Sequence, residues 1–361
     1  MNVLALVSHP VAGPSTRYRV LQFEPVLAAR GIRLHVEPLF GAAAFDRLYR
    51  AGGRATKGLG LLAAGMRRMS AVLAAHRYDA VLVLREVWPL HGLLHELVLR
   101  QRNPRWVFDL DDAVWLPNVS AANRGFAFLK APEKARWIVG QARAVSAGNR
   151  FIASWAGERT RPDARVFHVP TAVDTARFRP AGRPRTEGPI RLGWIGSLST
   201  APYLESIARP LARLSARHKG LTLRVIGARI ELPGVEVECV PWSLEGEVRA
   251  LDETDIALAP LPDNDWSRGK CGLKVLQSMA LAKPVVTSPI GAHLDLVEDG
   301  VDGRFAAGDD AWFDAIDGLI ADPAARTSLG AAGRATVERR YSIEAVAPAL
   351  EAALRHAAGS P

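Results

Sequence analysis

The chain has 361 residues, 48% hydrophobic and 23% charged, which describes a folded globular protein and excludes a disordered or fibrous one. Its 46 Lys and Arg against 37 Asp and Glu leave a net charge of +9, which suits an anionic partner such as a nucleotide or an acidic lipid surface. That excess is spread along the chain with no basic tail, which disfavours nucleic acid. The two cysteines, Cys239 and Cys271, form neither a disulfide framework nor a metal-spaced cluster.

A chain of this length exceeds one core, so two domains of roughly 150 to 180 residues are expected. Met1 to Ser8 reads as a buried first strand rather than a signal peptide, and no apolar run approaches the ~18 residues of a membrane span. Low cysteine content points to a reducing cytoplasm.

Short apolar runs alternate with helical patterns throughout, as in parallel sheets with crossover helices. The first half offers strands at 3–7, 32–36, 80–84, 106–110 and 166–169. The second offers them at 190–195, 221–226, 235–240, 256–259 and 285–287. Between the halves, Arg179 to Pro189 is rich in Pro, Gly and charge and reads as a linker. The expected architecture is α/β, with Rossmann-like domains over 1–180 and 190–340 facing across a cleft, where ligands of such sheets bind. The last helical pattern, within 341–361, is a candidate for crossing back to the first domain.

In chain order, the first loop of interest is His9 to Arg19. Gly13 permits a tight turn there, and Arg17 and Arg19 could fork onto anions, although solvated arginines are the preferred reading for Arg19. Arg54 to Arg77 mixes Lys57, Arg67 and Arg68 with Leu59, Leu61, Leu62 and Met66, a pattern suited either to an acidic membrane interface or to a buried helix with snorkelling ends. Asp109, Asp111 and Asp112 end a strand, and the last two are candidate catalytic carboxylates or simply caps of the following turn.

After the strand at 190–195, Gly196 and Ser197 form a turn that could seat a phosphate, and Thr200 with Pro202 starts a helix. A single glycine is not the three-glycine dinucleotide fingerprint, so a nicotinamide oxidoreductase is disfavoured. Trp242, just past a strand, could stack on a base or pack in the core. From Ser267 to Thr287 a basic glycine turn runs into a helical pattern. Lys270, Lys274 and Gln277 fall at i, i+4 and i+7 and would share one face, while Leu273, Leu276 and Ala280 line another. Lysines at a helix N-terminus invite an anion such as a diphosphate, and a solvated basic face is equally compatible.

Together these segments resemble the group-1, family-4 retaining glycosyltransferases of GT-B fold. The resemblance lies in Gly193-Trp-Ile-Gly-Ser197, Asp255 to Pro260, Lys270 to Pro289, Asp299 to Gly303, Leu329 to Arg334 and Tyr341-Ser342. In the first half it lies in Arg17-Tyr-Arg19, Phe108 to Asp112 and Gly148-Asn149, which resemble a bacterial branch. It implies sugar transfer from a nucleoside-diphosphate sugar without a metal, on a glycan, lipid-linked or small-molecule acceptor. It implies donor contacts from Gly13, Arg17, Gly196, Ser197, Trp242, Arg268, Lys270, Cys271, Gly272, Lys274 and Gln277.

The chain also departs from the family. Where relatives carry two glutamates eight positions apart, it has Gly269 and Gln277. The basic residues usual after the first strand of the second domain are missing around Ser197, and Asp111 stands where many relatives have a histidine. A sugar-nucleotide-binding protein without transfer activity and a GT-B epimerase are the alternatives.

Overall fold

The structure, a computed structural model, describes residues 1–10, 13–41, 54–117, 133–182 and 188–359, without the side chains of 54–57. The chain forms two compact units, one from Met1–Thr171 and Val346–Pro361, the other from Ala172–Ala345. Of the Arg179 to Pro189 stretch, residues 183–187 lie outside the described residues, as do Val11 and Ala12 of the first loop.

The first unit holds a parallel sheet of β1 (Asn2–Val7), β2 (Arg33–Pro38), β3 (Ala80–Leu84), β4 (Trp106–Leu110), β5 (Ala144–Ala147) and β6 (Arg165–His168), in the order β2-β1-β3-β4-β5-β6. Leu4 lies opposite His35 on one side and Val81 on the other, which fixes the register of the first three strands. The inner strands β3, β4 and β5 are buried along their whole length while edge strands β2 and β6 are partly exposed. A parallel sheet covered on both faces requires this pattern. β5 escapes a sequence reading because Ala-Val-Ser-Ala supplies only one β-branched apolar residue.

The second unit repeats the theme with β7 (Arg191–Ile195), β8 (Thr222–Ile226), β9 (Glu236–Val240), β10 (Ile256–Ala259), β11 (Val285–Thr287) and β12 (Arg304–Phe305). Their order is β12-β11-β10-β7-β8-β9, all parallel, with the direction of strand addition reversing between β7 and β10. The core sets Leu192, Trp194, Leu223, Val225 and Leu258 of the sheet against Leu211, Leu214 and Ile316 of flanking helices. β12 has two residues and one is Arg304, too little signal for the sequence to reveal it.

One helix starts later than the spacing suggests. It spans Leu273–Ala280, because Gly272 adopts φ +68° at its N-cap and breaks the helical run. Lys270 therefore lies in the preceding turn and not on the same helical face as Lys274 and Gln277.

Candidate functional site

The switch point of an open parallel sheet is where ligands bind, because the loops leaving the two strands there diverge and leave a crevice. In the second unit those loops leave β7 and β10. The turn after β7 is pressed tight: a Cβ on Gly196 would lie 2.3 Å from the Trp194 ring and 2.6 Å from Lys274 Nζ. Gly227 at the end of β8 has φ +88°, and a Cβ there would meet the Gly196 carbonyl oxygen at 2.4 Å. Both glycines let backbone and cation share a space that any larger residue would fill.

Lys274 occupies that space from the first turn of the Leu273–Ala280 helix. Its Nζ stands 4.2 Å from the centre of the Trp194 ring and donates to Thr200 Oγ1 at 3.2 Å. Thr200 Oγ1 in turn donates to the Ser197 carbonyl, and the Ser197 and Ser199 hydroxyls pair at 2.8 Å. Among the described residues no carboxylate pairs with Lys274. Burial, and then the charge of Lys270, lower its pKa to about 7. A cation held out of water by an indole face gains from an arriving anion far more than a surface lysine does.

Around this centre the other expected residues fall as follows. Lys270 sits half-buried with Nζ 5.1 Å from the Trp266 ring centre. Gly272 has no room for a side chain, since a Cβ would lie 2.2 Å from Leu296 Cδ1. Gln277 is buried, one turn along the helix from Lys274. Cys271 is buried, with a weak Sγ contact to the Gly269 carbonyl. Arg268 is exposed and pairs with Asp263 and Asp265 at 2.9 and 3.1 Å, so an incoming anion must compete with two carboxylates for it. Trp242 donates from Nε1 to Glu247 at 2.8 Å, and Arg177 bonds the same carboxylate, which fixes the indole beside the end of β9.

His293, which sequence reasoning missed, is buried beneath the same turn. Its Nδ1 lies 2.6 Å from Thr287 Oγ1 and 3.2 Å from the Ser288 carbonyl. Burial, with a smaller contribution from the Lys274 charge, lowers its pKa to about 4 against the opposing Ser288 bond, so the ring is neutral at pH 7. The position of Gly291-Ala-His293 just after β11 was the available signal. Among the described residues no group of three His, Cys, Asp or Glu is placed to hold a metal.

In the first unit the loop after β1 closes at Gly13, whose N–H bonds the Pro10 carbonyl at 2.8 Å and whose Cβ would meet His9 Cβ at 2.5 Å. The helix Pro14–Arg19 follows. Arg17 places its guanidinium 5.5 Å from the Tyr18 ring centre. Arg19 is not solvated: it is buried and forks onto Asp109 at 2.6 and 2.9 Å, with Val169 and Ser146 as further partners.

The carboxylates at the end of β4 belong to a second network. Arg85, immediately after β3 and also missed from the sequence, donates to Asp111 at 2.6 Å and also to Asp112. It does so from φ +68°, a conformation uncommon for a side-chain-bearing residue and characteristic of functional loops. Burial would raise the Asp111 carboxyl, but the charge and hydrogen bond of Arg85, with a bond from Ser15, hold it at about 2. Asp111 is thus ionised and purely a hydrogen-bond acceptor at neutral pH.

Residues 189–322 match the family described as glycosyl transferases group 1. The D-inositol 3-phosphate glycosyltransferase of Kineococcus radiotolerans is 28% identical over 255 residues, 58% of each chain, and that of Acidothermus cellulolyticus is 24% identical over 57% of this chain and 53% of its own. The matched part spans little more than half of these relatives. Among solved structures, Anabaena Alr3699/HepE in complex with UDP and glucose superposes with TM-score 0.67 at 15% identity, covering 98% of this chain and 99% of its own. Sucrose-phosphate synthase from Thermosynechococcus elongatus gives 0.70 at 18% identity, covering 98% of each. Residues 189–322 are accordingly a group 1 glycosyltransferase domain, in a chain with the GT-B fold.

Proposed function

We propose that the chain is a retaining glycosyltransferase that takes a sugar from a nucleoside-diphosphate donor and delivers it to a glycan, lipid-linked or small-molecule acceptor. The observation that carries this reading is Lys274, buried over Trp194 at the switch point with no carboxylate partner among the described residues. In this reading the diphosphate lies against Lys274, Lys270 and the backbone N–H groups that open the Leu273–Ala280 helix. Ser197 and the Gly196 amide border it, Gln277 takes the ribose hydroxyls, and the base lies toward Trp242. Uridine diphosphate is the first nucleotide to test, because the Anabaena neighbour binds it.

Chemistry then rests on stabilising the leaving diphosphate in a fixed, poorly hydrated setting. The lysines supply the charge that a metal supplies elsewhere, so no metal is required in this scheme. Asp111, ionised and oriented by Arg85, acts as an acceptor that orders sugar or acceptor hydroxyls and does not donate protons, and Asp112 is held by the same guanidinium. Gly269, where the family has a glutamate, is the observation that favours a binding protein without transfer.

A thermal-shift panel of nucleotide sugars identifies the donor, since a site-specific ligand stabilises in proportion to the logarithm of its excess over Kd. Release of nucleoside diphosphate that depends on acceptor supports transfer. Stabilisation without release in any acceptor mixture supports the binding reading, and an isomerised sugar without release supports an epimerase.

A further inference from the structure

Buried polar groups in proteins are almost always hydrogen-bonded, and those that are not call for a partner. In the first unit three such groups fall at one place, the carboxyl end of β1. Arg68, on the helix Arg54–Leu73, is 3% exposed and donates from Nη2 to the Val7 carbonyl at 2.6 Å. Its Nε and Nη1 are shielded from solvent and have no hydrogen-bond partner among the described residues. Ser8, the next residue after that carbonyl, is 7% exposed, and its Oγ is also buried without a partner among the described residues.

We infer that Arg68 and Ser8 form a subsite for a tetrahedral oxyanion, such as a phosphoryl group, at the carboxyl end of β1. Nη2 keeps a second hydrogen that lies parallel to one on Nε or on Nη1, so one edge of the guanidinium can fork onto two oxygens of one phosphoryl group, and a serine hydroxyl suits a third. The place is where a parallel sheet binds ligands, since the strand ends leave backbone and side-chain donors facing out of the sheet. The surroundings are electrically mixed. The charges of Glu37 and Glu96 favour the Arg68 cation and that of Arg67 opposes it; Glu96 pairs with Lys134 at 2.8 Å through Oε1, while its Oε2 is buried without a hydrogen-bond partner among the described residues. Burial lowers the Arg68 pKa only to about 10, so it keeps its charge at neutral pH. Because the donors are covered in this structure, binding includes a local opening, and association is slower than for an open site.

If the first unit receives the acceptor, whose hydroxyls Asp111 would order under the proposed function, the subsite makes that acceptor anionic. Anion binding itself does not depend on that reading. The test is calorimetric titration of the full chain, without nucleotide, using inorganic phosphate and glycerol phosphate, with chloride as control. Saturable binding that weakens at least about tenfold in Arg68→Met, and survives in Lys274→Ala, supports the subsite. Tighter binding of glycerol phosphate assigns it to a phosphorylated acceptor; equal or tighter binding of inorganic phosphate assigns it to free phosphate. Should Arg68→Met not fold, Ser8→Ala decides, with an expected severalfold loss. No saturable binding, unchanged affinity in a folded Arg68→Met or in Ser8→Ala, or loss only in Lys274→Ala overturns the inference. If transfer fails while phosphate binding stands, the proposed function alone is wrong.

Discussion

Asp111 and Arg85 come from the ends of neighbouring parallel strands and meet at 2.6 Å, with Arg85 held at φ +68° to make the contact. Two side chains that ordinary loops would leave in water are thereby fixed at the carboxyl end of the sheet, and the carboxylate stays ionised across the physiological range. Replacing Asp111 with Asn keeps the shape and removes the charge. The expected outcome is a fall in turnover of at least about tenfold with donor affinity nearly unchanged, because the proposed role of the group lies in the transition state. Steady-state kinetics beside donor titration measure both, and an unchanged turnover number returns Asp111 to a turn-capping role.

Gly196→Ala tests the packing of the second unit's turn. The added methyl would lie 2.3 Å from the Trp194 ring and 2.6 Å from Lys274 Nζ, and both belong to a packed environment. Overpacking of this kind costs about 1 to 3 kcal/mol, and here it also displaces the cation. Donor affinity and thermal stability should fall together. Serine-to-alanine at Ser197, which is exposed, should leave stability within about 0.5 kcal/mol.

The Lys274 pKa of about 7 gives donor binding a pH signature. Below pH 7 the ammonium is already charged and binding is at its strongest. Above pH 7 a proton must be taken up on binding, so affinity for a nucleotide sugar should fall by up to roughly tenfold per pH unit until the raised pKa of the complex is reached. The folded-state pKa lies below the unfolded value, so the unfolded chain holds more protons between pH 7 and 10.5. This group therefore makes stability rise with pH across that window and flat below it. Titrations from pH 6 to 9 check the first effect; Lys274→Met should abolish the slope, and a parent slope of zero contradicts the account.

The alternation of apolar runs and helical patterns was enough to read two parallel sheets, because inner strands such as β3 and β4 are continuous apolar segments. Short or small-residue strands such as β5 and β12 were not legible, since tertiary pairing forms them where local preference is weak. At the site, Lys274 and Gly196 could be marked from the sequence, but not that they touch. Arg85 and His293 were invisible for a related reason: each acts through partners distant along the chain. Arg67 and Arg68 show the same limit. Instead of flanking an apolar face, Arg68 reaches inward to the Val7 carbonyl, while Arg67 stays exposed and bonds the Leu39 carbonyl.

The apolar half of that face does look outward. Leu59, Leu62 and Met66 are 68%, 62% and 62% exposed along one side of the helix Arg54–Leu73. Charge divides unevenly as well, with 25 Lys and Arg against 13 Asp and Glu in Met1–Thr171 and Val346–Pro361, and 21 against 24 in Ala172–Ala345. No helix among the described residues is long and apolar enough to cross a membrane. Peripheral binding to an acidic surface is the proposal, and Leu62→Glu with Met66→Glu should reduce flotation with anionic vesicles severalfold. Equal flotation with neutral vesicles, or none, counts against it.

The most direct test of the account is calorimetric titration of uridine diphosphate and of uridine against the parent and Lys274→Ala. A charge-assisted contact of roughly 1.5 to 3 kcal/mol corresponds to a loss of about ten- to a hundredfold in diphosphate affinity. The account predicts that loss for uridine diphosphate with uridine unaffected. A folded variant that binds the diphosphate as the parent does, or that loses nucleoside and diphosphate alike, contradicts the placement of Lys274 on the phosphates.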